Sequence, residues 1–146
     1  MHSEQLPQTT ILESEWIMKQ EQLEAILVLA KRIGNLFHEV LDLSTQLAEA
    51  LDRRDEVSME MIIRMRSEPI EKLEIADRAL RENLAALDED AERVRAILNG
   101  DEGRANGALE KLLAEQASMN IRTHRRIMEL DAILNKKIGR EKSVYQ

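Results

Sequence analysis

The chain has 146 residues, of which 34% are charged and 2% aromatic, and its formal net charge is −7. Few aromatic residues, five glycines and two prolines argue against β-sheet and favour a single all-α domain. The absence of cysteine excludes disulfides, thiol catalysis and thiolate metal sites. No stretch approaches the roughly 18 apolar residues of a membrane span, and the N-terminus lacks a signal-peptide pattern. We therefore expect a cytoplasmic protein.

The N-terminal third predicts one long helix. Residues 1–10 are polar and are expected to be frayed, and a seven-residue apolar rhythm predicts a helix over 11–52. One row of this seam reads Trp16, Leu23, Ala30, Phe37, Ser44 and Leu51, and a second reads Ile26, Ile33, Val40 and Leu47. Leucines on both flanks widen the stripe, so we expect more than one helix to cover it.

A second helix is predicted over 55–98. The charged stretch 51–56 interrupts the rhythm and predicts a tight turn, after which the apolar rows resume and keep their register up to Leu98. Pro69 cannot donate a backbone hydrogen bond and clashes with the preceding turn. We therefore expect a kink or a break at 67–69.

The third helix is predicted over 107–138. The segment 99–107 contains three glycines and two asparagines, which predicts a loop. Lys136, Lys137 and Gly139 form a typical C-terminal stop. Because short connections make neighbouring helices antiparallel, residues 11–138 predict one elongated antiparallel three-helix bundle or coiled coil. Residues 139–146 are then a mobile basic tail.

No pattern in the sequence predicts catalysis or a metal site. Metal sites in helical bundles need Glu-x-x-His pairs, but Asn35 and Ile121 stand three residues before His38 and His124. The glycines of 99–107 lack the Gly-Lys-Ser/Thr ending of a phosphate loop. No nucleophile, base and oxyanion donor can be assembled from the pattern. We expect neither enzymatic activity nor a cofactor.

The third helix differs in charge and pattern from the first two. Residues 120–146 carry a net charge of +4, which leaves −11 on residues 1–119. The seam of the third helix contains Asn120 and Thr123, while apolar residues such as Met119 and Ile133 lie off it. One interpretation is a helix that packs weakly around a satisfied buried asparagine. The other is a helix that presents apolar anchors to a partner.

The order of these features resembles that of the FlgN-type flagellar export chaperones. The resemblance covers the chain from about Ile11 to Tyr145 and is carried by the charged turn LDRRDE, the stretch NIRTHRRIMELDAILNKK and the tail Gly139…Val144-Tyr145. The chain departs from the family pattern in stopping one residue after Tyr145, where a few more residues are expected.

The resemblance implies a cytoplasmic chaperone without catalytic activity. Its partners would be the C-terminal helices of hook-associated (hook–filament junction) proteins, which it keeps from polymerising early, and the cytosolic platform of the type III export gate. Carried onto this sequence, Tyr145 would contact the gate. The cargo would pack on residues of the third helix: Met119, Asn120, Thr123, Ile127, Leu130, Ile133 and Leu134.

Three alternatives stay open. A structural coiled coil would pair its third helix with a second copy and form a homodimer. A nucleic-acid or membrane-surface binder would use the seven basic residues of 120–146, although the −11 charge of the remainder opposes phosphate binding. A four-helix-bundle enzyme lacks the necessary ligands.

Overall fold

The prediction of an all-α protein is confirmed in a computed structural model, which describes the backbone of residues 5–144 and the side chains of residues 12–139. No β-strand occurs within these described residues. The four α-helices are α1 (Gln5–Asp52), α2 (Glu56–Ala85), α3 (Ala91–Leu98) and α4 (Gly107–Val144). Two short 3-10 helices, Asp88–Asp90 and Glu102–Arg104, flank α3.

Helix α1 contacts both α2 and α4 along its length. Asn120 donates to the carbonyl of Ala30 at 2.8 Å, and Lys137 contacts Asp52 at 3.0 Å, so α4 runs in the same direction as α1. Helix α2 runs in the opposite direction, because Arg66 pairs with Asp131 of α4 at 3.0 Å. The wide apolar stripe of α1 is therefore covered from two sides, which accounts for the flanking leucines.

The interior consists of three clusters of buried apolar side chains. The largest lies at the N-terminal end of α1, where Ile26 packs with Val94 and Ile97 of α3 and with Leu113 of α4. A second cluster joins the C-terminal end of α1 to Ile62 of α2 and Leu134 of α4, and a smaller one lies between them. Helix α3 is thus held in place by burial of its two large aliphatic side chains.

The chain reverses between α1 and α2 at residues 53–55, inside the segment that the sequence assigns to a turn. Arg54 adopts a positive φ of 56° there. The Asp55 carboxylate then caps α2, accepting hydrogen bonds from the Ser58 backbone N–H at 3.1 Å and from the Ser58 hydroxyl at 2.6 Å. These hydrogen bonds lower the pKa of Asp55 below its ordinary value.

The predicted break at 67–69 is wrong, because α2 continues through Pro69 to Ala85. Pro69 is fully buried and stands in one seven-residue row with Ile62 and Ala76, which are also buried. Packing of this row against the rest of the core holds the helix together despite the missing hydrogen bond. The kink itself stays a prediction.

The interruption lies instead at residues 86–90, so the second predicted helix is two helices. Asp88 has a positive φ of 53°, and Leu87 is buried in the largest cluster. Asp90 then binds Lys19 of α1 at 3.3 Å and Arg93 at 3.0 Å. Arg93 also contacts Glu110 of α4 at 3.1 Å, and these hydrogen bonds raise the pKa of the guanidinium above its ordinary value.

The first and the last helix of the chain are both longer than predicted. Helix α1 begins at Gln5, so residues 5–10 are helical rather than frayed. Helix α4 continues through Gly139 to Val144, so the predicted stop at Gly139 and the predicted tail from that residue are corrected. A glycine alone does not end a helix when the residues on both sides favour it, since its cost there is about 1 kcal/mol. Tyr145 lies outside the described residues.

Candidate functional site

The seven predicted cargo residues fall into three groups of side-chain exposure. Met119 and Ile133 are exposed, at 46% and 51% of their full surface. Asn120 and Leu130 are partly buried. Thr123, Ile127 and Leu134 are buried. The seven residues therefore do not share one accessible surface.

The buried group belongs to the contact between α4 and the core. Leu134 is 2% exposed and packs in one cluster with Leu47 and Ile62. The Thr123 hydroxyl donates to the Met119 carbonyl of its own helix at 3.0 Å. In this conformation a partner could reach these side chains only after α4 had left α1.

Asn120 fixes the position of α4 on α1. Its side-chain amide donates to the Ala30 carbonyl at 2.8 Å, and its side-chain oxygen accepts from the Gln116 amide at 2.9 Å. The opposing residue is Gly34, where an added Cβ would lie 2.6 Å from Asn120 Oδ1 and 2.7 Å from Gln116 Nε2. Asn120 is therefore a satisfied polar contact that sets the register of the two helices.

Helices α1 and α4 each bury a small polar side chain. Ser44 is fully buried and donates to the Val40 carbonyl at 2.8 Å, and Thr123 is buried on the α4 side. The buried residues of α2, by contrast, are Ile62, Pro69, Ala76 and Leu84. Because burial of apolar area stabilises packing by about 25 cal/mol per Å², α4 gains less from its contact with α1 than a fully apolar helix would.

Three of the four large exposed hydrophobic residues that α4 has among the described side chains form a row with seven-residue spacing, and the fourth, Met128, lies off it. Leu112, Met119 and Ile133 are each about half exposed, and Arg126 occupies the remaining position of the row. From Leu112 to Ile133 the row extends about 31 Å at 1.5 Å per residue. We call Leu112, Met119 and Ile133 the outer apolar row. The sequence analysis missed Leu112 as a surface residue, although the heptad spacing to Met119 could have identified it.

Trp16 extends this row onto α1. The seam pattern predicted a packed tryptophan, but Trp16 is 63% exposed. The reason is that α4 begins only at Gly107. This glycine lines an open depression of about 600 Å³ together with Leu112 and Trp16. Phe37, by contrast, is partly buried and its ring centroid lies 5.3 Å from that of His124.

Two further kinds of site were sought among the described residues. Within side chains 12–139, no group of three His, Asp or Glu residues is placed to hold a metal ion. No helix in the described part of the chain is long and apolar enough to cross a membrane. Tyr145, the predicted gate contact, cannot be placed. The outer apolar row is the feature of α4 that the described residues leave exposed.

No protein-family model matches this chain, and comparisons with curated proteins and with solved structures found no significant similarity.

Proposed function

We propose that this protein is a cytoplasmic export chaperone of the FlgN type. It binds the C-terminal helices of hook–filament junction proteins, prevents their early polymerisation, and delivers them to the cytosolic platform of the export gate. It does so by binding alone and performs no catalysis. The observation that supports the proposal is the outer apolar row, which gives α4 three half-exposed anchors at helical spacing.

The architecture that supports this function is an elongated antiparallel three-helix bundle. In this view α2 and α3 together count as the second helix of the bundle, with an interruption at residues 86–90. Helix α3 contacts α4 through the ion pair between Arg93 and Glu110. Helix α1 is the central element, and α4 lies along it with one edge exposed. Such an edge can accept a fourth helix from a partner.

The cargo helix lies along the outer apolar row. Met119 and Ile133 contact it directly, and the partly buried Leu130 borders the contact. Methionine suits this role because its side chain is flexible and polarizable. Asn120, Thr123, Ile127 and Leu134 support the row from beneath by holding α4 against α1. Tyr145 contacts the export gate.

The second candidate is a structural coiled coil that self-associates through α4. The same exposed row favours it, since two copies could bury their rows against each other. This candidate requires a stable dimer in the absence of any cargo. The chaperone requires binding of an amphipathic helix from another protein.

The test is calorimetric titration with the C-terminal segment of a hook–filament junction protein. The surface variant is Met119→Glu with Ile133→Glu. A control, Val28→Glu with Met128→Glu, adds the same charge at hydrophobic residues that are somewhat more exposed. Met128 lies on the opposite side of α4, nine residues after Met119.

The proposal expects the surface variant to bind at least about tenfold more weakly, because two charges would be buried at the contact. The control should bind like the original chain. Equal affinity of all three proteins would place the cargo elsewhere and refute this site. Circular dichroism confirms that each variant keeps its helices.

A further inference from the structure

A shallow groove with acidic walls runs between α1 and α2. Its volume is about 290 Å³, and its lining consists of Glu39, Asp42, Leu43, Gln46, Met65 and Glu68. Leu43 is buried, while Met65 is 49% exposed. Met61, one turn before Met65 on α2, is 56% exposed and extends the apolar strip. We call this set of lining residues the acidic groove.

The acidic groove has a negative charge that its own lining does not neutralise. Three of its six lining residues are carboxylates, and none is basic. Glu68 is paired with Lys72 at 3.0 Å. Glu39 and Asp42 belong to no ion pair among the side chains of residues 12–139. The groove therefore fits a helix that carries both apolar and basic residues.

Helix α4 of the same protein has such a face. One side of this helix carries Met119, Arg122, Arg126 and Ile133, which follow one another at spacings of three, four and seven residues. The exposed Glu129 lies on the same side, three residues after Arg126, so the charges between Met119 and Ile133 on this side sum to +1. Both arginines are exposed, and neither belongs to an ion pair within the described side chains. This basic face is separated in sequence and space from the acidic groove, since one lies on α4 and the other between α1 and α2.

We infer that the basic face of α4 in one copy docks in the acidic groove of a second copy. Met119 and Ile133 contact the strip formed by Met61 and Met65, while Arg122 and Arg126 face Glu39 and Asp42. The contact is heterologous, because each copy contributes a different surface. It is weakened by salt, since exposed charges are screened. The inference does not depend on the proposed cargo, although both use the same edge of α4.

The test is sedimentation velocity of the full chain over a range of concentrations. The groove variant is Glu39→Lys with Asp42→Lys, and the face variant is Arg122→Glu with Arg126→Glu. A control, Glu71→Lys with Glu74→Lys, makes the same charge change at exposed positions of α2 outside the groove. The original chain and the control should associate at low salt and dissociate in about 0.5 M salt.

Each variant alone should associate at least about tenfold more weakly than the original chain. An equal mixture of the two should associate again, because the intact face of the groove variant fits the intact groove of the face variant, and the reversed charges of the two altered surfaces also attract each other. A monomeric original chain at low salt overturns the inference. So does association that persists in both variants, or a mixture that stays monomeric.

Discussion

At the scale of single residues, Asn120 determines the axial position of α4 along α1. A buried amide must find partners, and the Ala30 carbonyl and the Gln116 amide supply them. Gly34 provides the space, because any larger residue would meet the two amides. Asn120, Gln116 and Gly34 thus form one polar contact with the Ala30 carbonyl, and the two amides depend on the space that Gly34 leaves.

This dependence can be measured with Gly34→Ala. In the original chain the substitution should lower the free energy of unfolding, because displaced amides lose hydrogen bonds worth about 1–3 kcal/mol when left unsatisfied. That loss exceeds the gain of about 1 kcal/mol from replacing a helical glycine. In a Gln116→Ala, Asn120→Ala background the same substitution should be stabilising. Urea unfolding measures both changes.

Gly139→Ala is the matched control, since Gly139 is helical and no atom of a neighbouring side chain in the described part of the chain lies within 4 Å of an added Cβ. It should stabilise the chain by about 0.5–1 kcal/mol. Equal effects of Gly34→Ala in the two backgrounds would show that the amides do not restrict residue 34.

Asp55 predicts a pH dependence of stability. Because its hydrogen bonds with Ser58 lower its pKa in the folded state, its contribution is fully present above its unfolded pKa and is lost as the pH falls through the folded value. Between about pH 6 and pH 3, the original chain should therefore lose more stability than Asp55→Asn. Urea midpoints at each pH measure the difference. Parallel pH profiles of the two proteins would contradict the assignment.

At the scale of elements, two features are unexpected. Helix α2 contains a proline in its interior, and the break that follows α2 contains neither proline nor glycine. Pro69 stays helical because its ring is buried in the row with Ile62 and Ala76. The break at 86–90 follows from tertiary contacts: Leu87 is buried, and Asp90 binds Lys19 and Arg93. Such contacts override the local preferences that a sequence shows.

Pro69→Ala tests whether the cost of a proline in a helix interior is larger than the gain from burying the proline ring. A proline in a helix interior costs about 3 kcal/mol, whereas losing two buried methylene groups costs about 1.6 kcal/mol. The variant should therefore be more stable by roughly 1 kcal/mol, as measured by urea unfolding. A clear loss of stability would mean that packing of the ring is worth more than the missing helix hydrogen bond.

The composition was enough to predict an all-α protein, and the width of the apolar stripe on α1 predicted that more than one helix covers it. They could not predict that Trp16 is exposed, because that depends on where α4 begins beside α1. For the same reason the sequence grouped Leu134 and Ile133 as one surface, although they face the core and the solvent respectively. Heptad spacing gives the faces of a helix but not which face is covered.

At the scale of the whole molecule, the basic residues of the C-terminal part and the outer apolar row lie on the same helix. Helix α4 is joined to α1 by contacts that include those of Asn120 with Ala30 and of Lys137 with Asp52, and Met119 and Ile133 on its outer edge stay exposed. We propose that this edge binds a helix of a partner protein. Self-association through the acidic groove would compete for it and is suppressed by salt.

The most direct test of this claim is calorimetric titration of the original chain with a junction-protein C-terminal segment in about 0.3 M salt, with molar mass measured by light scattering before and after. We expect a monomer that binds one segment, so that the mass of the complex equals the sum of the masses of the chain and the segment. The opposite result is no heat of binding and a stable dimer at that salt concentration. That result would make the protein a self-associating coiled coil.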